Sequence, residues 1–310
     1  MRTDSRGRRL RFERAPKDEL IVLSDRDLAV FEAIHRHGLL PSNYLFEFVR
    51  SHYRSDLHFK HRLTKLYHGL LDGTYFLERP PQQYRSFLAR AQESIYDLAP
   101  AGRIALAEAG RLSPYVGQRS DHFLHQYMAA CISASIELTA QRNGLRFIHR
   151  HEIFSHEKCP LETKRSRNPL LLPSGRTHLI PDDLFGLDYG GKFRFFALEV
   201  DRNTESLTRN NLDQTSFGRK LKAYTEVLDT GTFRDVWGVP ALLILIVTTN
   251  AVHMQNMMKY LVNLDQPRHG SFLFRSKAEF GQNWTIPPTM HDLLHTPWAR
   301  TSGPFIISAP

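Results

Sequence analysis

The feature that most constrains the fold is an uninterrupted apolar run, which spans residues 241–248 and reads ALLILIVT. Continuous apolar runs of this length are typical of strands that are covered on both faces, as in the middle of a sheet. Such a strand needs other strands beside it and helices packed on the sheet. We therefore expect the run to be an interior strand of an α/β domain.

The segments on either side of this run supply the other elements of a sheet domain. Hydrophobic periodicity predicts helices and strands, whereas residues 157–177 are rich in Lys, Arg, Pro and Ser and predict a basic loop. The helices are expected over residues 121–142, 212–228 and 252–262, and the other strands over residues 145–154, 179–187, 193–201 and 271–275. This order predicts a mixed sheet flanked by helices, in a domain that covers residues 113–310.

The N-terminal third predicts a separate, smaller domain. Apolar residues at helical spacing indicate three short helices. Residues 75–78 and 94–98 then predict two short strands around a polar segment with two prolines. Three helices followed by a hairpin are the order of a winged helix-turn-helix domain, which we place at residues 20–112. Residues 1–19 are basic and lack apolar periodicity, so we expect a flexible arm there.

The third helix of this small domain carries a basic face. An apolar stripe at helical spacing would face the core and consists of Phe59, Leu63, Leu66 and Leu70. Basic side chains on the outer face suit the major groove of double-stranded DNA, and those beside the hairpin suit backbone phosphates. The predicted DNA-binding residues are His58, His61, Arg62, Lys65, Arg79 and Arg85. A solvated basic face on a protein-interaction domain is the alternative.

Charge and composition limit the classes of function. The formal net charge of +9 over 310 residues favours a polyanionic partner. No run of 18 apolar residues is present, and the basic N-terminus has few apolar residues, so we expect no membrane partner. Two cysteines cannot build a cysteine-based zinc site or a disulfide framework, which agrees with a reducing cytoplasm.

Two carboxylates lie at the end of one predicted strand of the larger domain. Glu199 and Asp201 lie two residues apart and therefore point to the same face of the strand. Two acids at the end of an apolar strand are costly to bury without a partner. Asp182, which begins a neighbouring strand, would complete a cluster of three carboxylates. Such oxygen ligands suit Mg²⁺ or Mn²⁺, and the ion would activate water for attack on a phosphodiester.

These residues resemble a known superfamily and, within it, a family. The stretches IPD at 180–182 and LEVD at 198–201 resemble the PD-(D/E)XK nucleases, whose core is helix, three strands, helix, strand. Over residues 24–265 the chain resembles the replication-relaxation family of plasmid and mobile-element proteins. The stretches that carry this likeness are 35–38 (HRHG), 62–66 (RLTKL), 98–103 (LAPAGR), 180–182 (IPD), 198–205 (LEVDRNTE) and 220–224 (KLKAY). The resemblance implies a winged helix joined to a restriction-endonuclease-like domain, which is degenerate in this family.

One position departs from the superfamily pattern. The superfamily places a lysine two residues after the glutamate, where this chain has Asp201. Some members recruit a lysine from the following helix, and this resemblance makes Lys220 the corresponding catalytic candidate beside Asp182, Glu199 and Asp201. The alternative is that Asp201 begins a turn and that Glu199 pairs with a buried arginine.

Two main hypotheses for the function follow. The first is a DNA-binding protein of a plasmid or mobile element with metal-dependent phosphodiester cleavage. The second is a non-enzymatic DNA-binding accessory or regulator of replication, mobilisation or transcription, with a silent nuclease-like core. In either case the expected partners are double-stranded DNA and other replication, mobilisation or transposition proteins. A protein-interaction module with incidental basic charge is a third hypothesis.

Overall fold

The chain divides into two compact units, residues 1–113 and residues 114–310. The computed structural model describes residues 12–16, 18–85, 92–114, 122–175, 177–202, 216–264 and 268–309. Most of the predicted arm, residues 1–11 and Lys17, lies outside this description, as do residues 203–205 of the family motif and the predicted helix start at 212–215.

The described residues of the first unit form four α-helices and three short strands. In chain order they are α1 (Asp25–His37), β1 (Leu40–Pro41), α2 (Ser42–Val49), α3 (Asp56–His68), β2 (Leu77–Glu78), β3 (Ile95–Leu98) and α4 (Pro100–Glu108). The strands form one antiparallel sheet in the order β1-β3-β2. The three helices and the hairpin thus follow one another in the predicted order, and β1 adds a third strand that the sequence did not indicate.

Local sequence signals set the limits of α1 and α3. The backbone N–H of Ser24 donates to Asp27 at 2.8 Å and closes a capping box at the start of α1. Ser55 accepts from the backbone N–H of His58 at the start of α3. Gly69, with φ at 74°, ends α3, because a backbone in this region is easiest for glycine. Leu70, predicted as part of the apolar stripe, therefore lies beyond the helix and is only half-buried.

The second unit is a five-stranded mixed sheet with helices around it. Its helices are α5 (Phe123–Arg142), α6 (Arg150–Ser155), α7 (Leu161–Arg165), α8 (Ser216–Thr230), α9 (Thr232–Trp237), α10 (Ala251–Asn263) and α11 (Asp292–His295). Its strands are β4 (Arg146–Ile148), β5 (Leu172–Ser174), β6 (Thr177–Leu179), β7 (Asp183–Asp188), β8 (Phe193–Asp201), β9 (Leu243–Thr248) and β10 (Phe272–Ser276). The α/β fold class is confirmed.

The strand order of the large sheet is β10-β9-β8-β7-β4. β9 is the apolar run and lies between β10 and β8, parallel to both, so the prediction of an interior strand is confirmed. β7 and β8 are antiparallel, and Asp183 lies opposite Leu198. Because β8 and β9 are parallel, Glu199 and Asp201 lie beside Ile246 and Thr248 at the carboxyl ends of both strands.

Three predicted segments differ from the structure. Residues 145–154 were expected to be one strand, but β4 ends at Ile148 and a helix follows, because the backbone N–H of His149 donates to Glu152 and caps α6. Residues 179–187 are divided between β6, which pairs with β5 in a separate two-stranded sheet, and β7. The expected basic loop at residues 157–177 contains the helix α7 and the strand β5.

One face of the large sheet packs against α8, α9 and α10. Ala197 and Ile246 of the sheet join Leu221, Tyr224 and Trp237 in a single buried cluster. Glu199 lies two residues after Ala197 near the end of β8, so its side chain points to the face of the sheet that α8 covers. Within the described ranges, no helix is long and apolar enough to cross a membrane.

Candidate functional site

The candidate site lies where β7 begins and β8 ends. Glu199 is buried, with a side chain only 1% exposed, and points toward α8. Its two carboxylate oxygens accept hydrogen bonds from different residues of that helix. Lys220 Nζ lies 2.6 Å from Oε2, and the Tyr224 hydroxyl lies 2.6 Å from Oε1. Lys220 and Tyr224 are four residues apart, so one helix face carries both donors.

Asp182 lies beside this pair and has its own donors. The ring Nε2 of His125, from α5, lies 2.7 Å from Oδ1, and the backbone N–H of Val200 donates to Oδ2 at 2.8 Å. The backbone N–H of Asp182 donates in turn to the Leu198 carbonyl at 2.9 Å. Asp182 therefore continues the pairing of the strands just before β7 begins, and its side chain is fixed by two elements.

Asp201 is held by a different helix. His253 Nε2 of α10 lies 2.7 Å from Asp201 Oδ2, and both side chains are less than one-fifth exposed. The negative charge of Asp201 still acts on Lys220, together with the charges of Asp182 and Glu199. The structure thus brings the four predicted catalytic residues into one electrostatic cluster, with Asp182, Glu199 and Lys220 at its centre and Asp201 at its edge.

Burial and charge shift the protonation equilibria in this cluster. Burial raises the pKa of Glu199 and the nearby charge of Asp182 raises it further, while the Lys220 ammonium opposes both effects. Burial alone would lower the pKa of Lys220, but the charges of Glu199 and Asp182 outweigh it and raise that pKa. Lys220 is therefore a cation at neutral pH and supplies the positive charge of the cluster.

The residues as placed do not offer a ligand set to a divalent cation. Each of the four oxygens of Asp182 and Glu199 already accepts a hydrogen bond from the protein. In the part of the chain that the structure describes, no group of three or more His, Cys, Asp or Glu side chains is placed to hold a metal ion. The Mg²⁺ or Mn²⁺ site therefore stays a prediction.

Arg62, one of the predicted DNA-binding residues, forms its hydrogen bonds within the first unit. Its guanidinium donates to both carboxylate oxygens of Asp27, at 2.8 and 2.7 Å, and to the carbonyl of Val22 at 2.8 Å. The Asp27 side chain is 1% exposed. Arg62 therefore neutralises a buried carboxylate on α1, and its predicted contact with DNA stays a prediction.

The segment before α1 lies along α3 where the sequence predicted a flexible arm. The Phe12 carbonyl accepts from the Tyr67 hydroxyl at 2.6 Å, and Arg14 donates to the Tyr67 carbonyl. Glu19 pairs with Lys65 at 2.8 Å. Arg62 and Lys65 of the predicted recognition face thus contact Val22 and Glu19, and His61 and Lys65 border a cavity of about 410 Å³ beside Glu19.

The other predicted DNA contacts differ in their availability. Arg79 donates to the Tyr96 hydroxyl at 2.7 Å and lies over the rings of Tyr67 and Tyr96, so it packs within the domain. His58, His61 and Arg85 are exposed.

Comparison with known families decides the assignment. A family model described as replication-relaxation matches residues 31–243, more than half of the chain, and the match extends over parts of both units. The chain belongs to the replication-relaxation family. The resemblance drawn from the sequence motifs is therefore confirmed. No curated protein and no solved structure matches the chain.

Two side chains that bind Asp182 and Glu199 in this replication-relaxation protein were not predicted as site residues. His125 lies 57 positions before Asp182, on the long helix α5, and no local pattern connects them. Tyr224 shares a helix face with Lys220, and that spacing is visible in the sequence, but its bond to Glu199 follows only from the packing of α8 on β8. Together they occupy oxygens that a metal would use.

The His125–Asp182 contact predicts a pH dependence of stability. Burial alone would lower the pKa of His125, but the hydrogen bond and charge of Asp182 outweigh burial and raise that pKa above its ordinary value of 6.5. A raised pKa in the folded state stabilises the protein fully below pH 6.5, and this contribution disappears as the pH rises through the folded-state pKa. We expect the stability difference between the wild type and His125→Gln to shrink steadily above pH 6.5.

Urea unfolding of both proteins at several pH values between about 5.5 and 9 measures this difference. His178→Gln is the matched control, because His178 is exposed on β6. A His125→Gln difference that stays constant with pH would contradict the proposed protonation of His125.

Proposed function

We propose that this protein is a non-enzymatic DNA-binding accessory protein for the replication or relaxation of plasmid or mobile-element DNA. Family membership supports the role in replication or relaxation. The observation that carries the non-enzymatic part is the occupied carboxylate pair, in which Lys220, Tyr224, His125 and the Val200 N–H take the oxygens of Asp182 and Glu199. The nuclease-like core is then a scaffold whose buried charges are balanced internally.

The balance of charges in the cluster supports this interpretation. A catalytic cation would compensate the repulsion between adjacent carboxylates in a metal-dependent nuclease. Here the Lys220 ammonium compensates Glu199 directly, and His125 with its raised pKa compensates Asp182. Both carboxylates are satisfied by protein groups alone, so the fold does not require an ion at this position.

Double-stranded DNA is the proposed partner of the first unit. The exposed basic side chains on α3 and beside the hairpin are suited to phosphate contacts. Lys65 forms an exposed ion pair with Glu19. Because surface ion pairs are weak, a DNA phosphate can replace the Glu19 carboxylate. Arg85 is exposed on the hairpin side of the domain. Arg62 holds the fold, so the DNA contacts belong to His58, His61, Lys65 and Arg85.

Metal-dependent cleavage is the second candidate, and one observation favours it. Asp182, Glu199 and Lys220 meet at the carboxyl end of β8, the arrangement that the resemblance to PD-(D/E)XK nucleases implies. Mg²⁺ or Mn²⁺ would supply water activation if Asp182, Glu199 and Asp201 released their present donors. Such a release would be visible as stabilisation of the protein by the ion.

A binding experiment with the full chain tests the proposed function. We expect the affinity for a short DNA duplex to fall steeply with salt, because each neutralised phosphate releases counterions. Lys65→Ala with Arg85→Ala should reduce the slope of log K against log salt by about 2, at roughly 0.9 per lost phosphate contact. Fluorescence anisotropy at several salt concentrations measures both quantities.

The control variant for this experiment is Lys192→Ala with Lys259→Ala, which removes the same charge from exposed positions of the second unit. Equal salt slopes for the two double variants would refute the proposed DNA surface. In parallel, supercoiled plasmid incubated with Mg²⁺ or Mn²⁺ should stay intact. Cleavage by the wild type that is lost in Glu199→Gln would establish the second candidate instead. A metal-induced rise in the melting temperature of the wild type that is absent in Glu199→Gln would support a metal site, whether or not cleavage follows.

A further inference from the structure

A second cavity lies in the larger unit, at the opposite end of the strands from the carboxylate cluster. Its volume is about 300 Å³, and its walls come from the first residues of β8 and β9, the end of α8, α9 and the segment before β10. Because β8 and β9 are parallel, their first residues lie side by side at one end of the sheet, and Glu199 lies near the other end of β8. The cavity is therefore independent of the site described above.

Three arginines line this cavity, and none of the described residues that line it is acidic. Arg194 donates to the Ala309 carbonyl, and Arg234 donates to the Pro240 carbonyl at 3.0 Å. Arg268 is exposed. Among the described residues, no carboxylate forms an ion pair with any of the three arginines. Three cations around one cavity repel one another, and a bound anion would remove that repulsion.

Aromatic rings stand beside these guanidinium groups. Arg194 lies 5.1 Å from the centre of the Phe305 ring, and Arg234 lies 4.8 Å from that of Phe233. Phe195 lines the same cavity. Phe233 is buried in the core, whereas Phe195 and Phe305 are half-buried. The cavity thus combines charged groups that match a phosphate with two rings on which a planar base can stack.

From this combination we propose that the cavity binds a nucleotide, with the phosphate on Arg194, Arg234 and Arg268 and the base against Phe195 and Phe305. Ligand pockets in proteins span about 300 to 1,000 Å³, so this cavity has room for one small ligand rather than a long one. The ligand is either a free nucleotide or the phosphorylated end of a DNA strand, since both present the same phosphate and base. This site goes beyond the proposed duplex binding by the first unit.

Calorimetric titration of the full chain with deoxyadenosine monophosphate tests the site. We expect binding by the wild type, and an about tenfold higher Kd for Arg268→Ala and for Arg234→Ala, because each loses a charged hydrogen-bond donor to phosphate. Arg268→Ala is the more informative variant, since this exposed side chain can be removed without disturbing the fold. Arg167→Ala, an exposed arginine outside the cavity, is the matched control and should leave the Kd unchanged.

Further ligands test the phosphate and base contacts one at a time, and they distinguish a free nucleotide from the end of a DNA strand. Deoxyadenosine and inorganic phosphate should each bind more weakly than the monophosphate, because each lacks one half of the contacts. A 5′-phosphorylated single strand that binds through Arg268 while its 5′-hydroxyl form does not would identify a strand end, and binding of the monophosphate alone would identify a free nucleotide. No heat from the monophosphate, an unchanged Kd in Arg268→Ala, or equal binding of deoxyadenosine would each overturn the proposal.

Discussion

Arg62→Ala is expected to destabilise the first unit by about 3 to 5 kcal/mol, the typical cost of removing one partner of a buried ion pair. The Asp27 carboxylate is 1% exposed and receives two charged hydrogen bonds from Arg62. Without them it keeps only the donors of Ser24, at 2.8 Å from the backbone N–H and 2.7 Å from the hydroxyl. Urea unfolding of the full chain, followed by a probe in the first unit, measures the loss.

The pH dependence and a rescue variant make this prediction specific. Burial raises the pKa of Asp27, but the hydrogen bonds from Arg62 and Ser24 outweigh burial and lower it below the ordinary value of 3.8. The stabilisation is therefore present above pH 3.8 and is lost as the pH falls through the folded-state pKa, so the penalty of Arg62→Ala should shrink in acid. Asp27→Asn combined with Arg62→Met should be more stable than Arg62→Ala.

Lys65→Ala is the matched control, because its pair with Glu19 is exposed and such pairs contribute about 0 to 1 kcal/mol. A loss in Arg62→Ala no larger than in Lys65→Ala would mean that Arg62 does not hold the fold. In that case Arg62 would return to the set of side chains available to DNA.

The ion pair of Arg62 with Asp27 could not be predicted from the sequence. Its place on the polar face of α3 follows from helical spacing, and spacing alone predicts a solvent-exposed cation. Asp27 lies 35 residues earlier on α1, and only the packing of the two helices brings the pair together. A polar helix position therefore does not distinguish a side chain that faces DNA from one that neutralises a buried acid.

The sheet could be predicted because its signals are local. An apolar run longer than five residues defined β9, and the predicted β8 has the bounds that the structure shows, residues 193–201. Strand alternation identified Glu199, and the resemblance to the nuclease superfamily made Lys220 on the following helix a candidate. The donors that occupy the cluster could not be predicted in the same way. His125 comes from α5 and His253 from α10, at sequence separations of 57 and 52 residues from their carboxylates.

Lys220→Met is expected to destabilise the second unit by about 1.5 to 3 kcal/mol at neutral pH, because the buried Glu199 loses a charged hydrogen bond from a lysine that is itself 36% exposed. Glu199 can then escape the penalty by taking up a proton. Its pKa in the folded state is already raised by burial and by Asp182, and loss of the Lys220 ammonium raises it further. A raised folded-state pKa stabilises the protein at low pH and not at high pH, so the loss should be smaller at pH 5 than at pH 8.

Urea unfolding at those two pH values separates an internally balanced cluster from a metal site. Lys220→Met combined with Glu199→Gln should recover most of the lost stability, because the neutral amide removes the uncompensated charge while Tyr224 can still donate to it. Lys192→Met, at an exposed position, controls for loss of a lysine and should cost about 0.5 kcal/mol or less. If Lys220→Met were as stable as the wild type, Lys220 would not be the charge that balances Glu199. If millimolar Mg²⁺ stabilised Lys220→Met and the wild type equally, the carboxylates would accept a cation with the lysine in place, and the non-enzymatic interpretation would lose its main support.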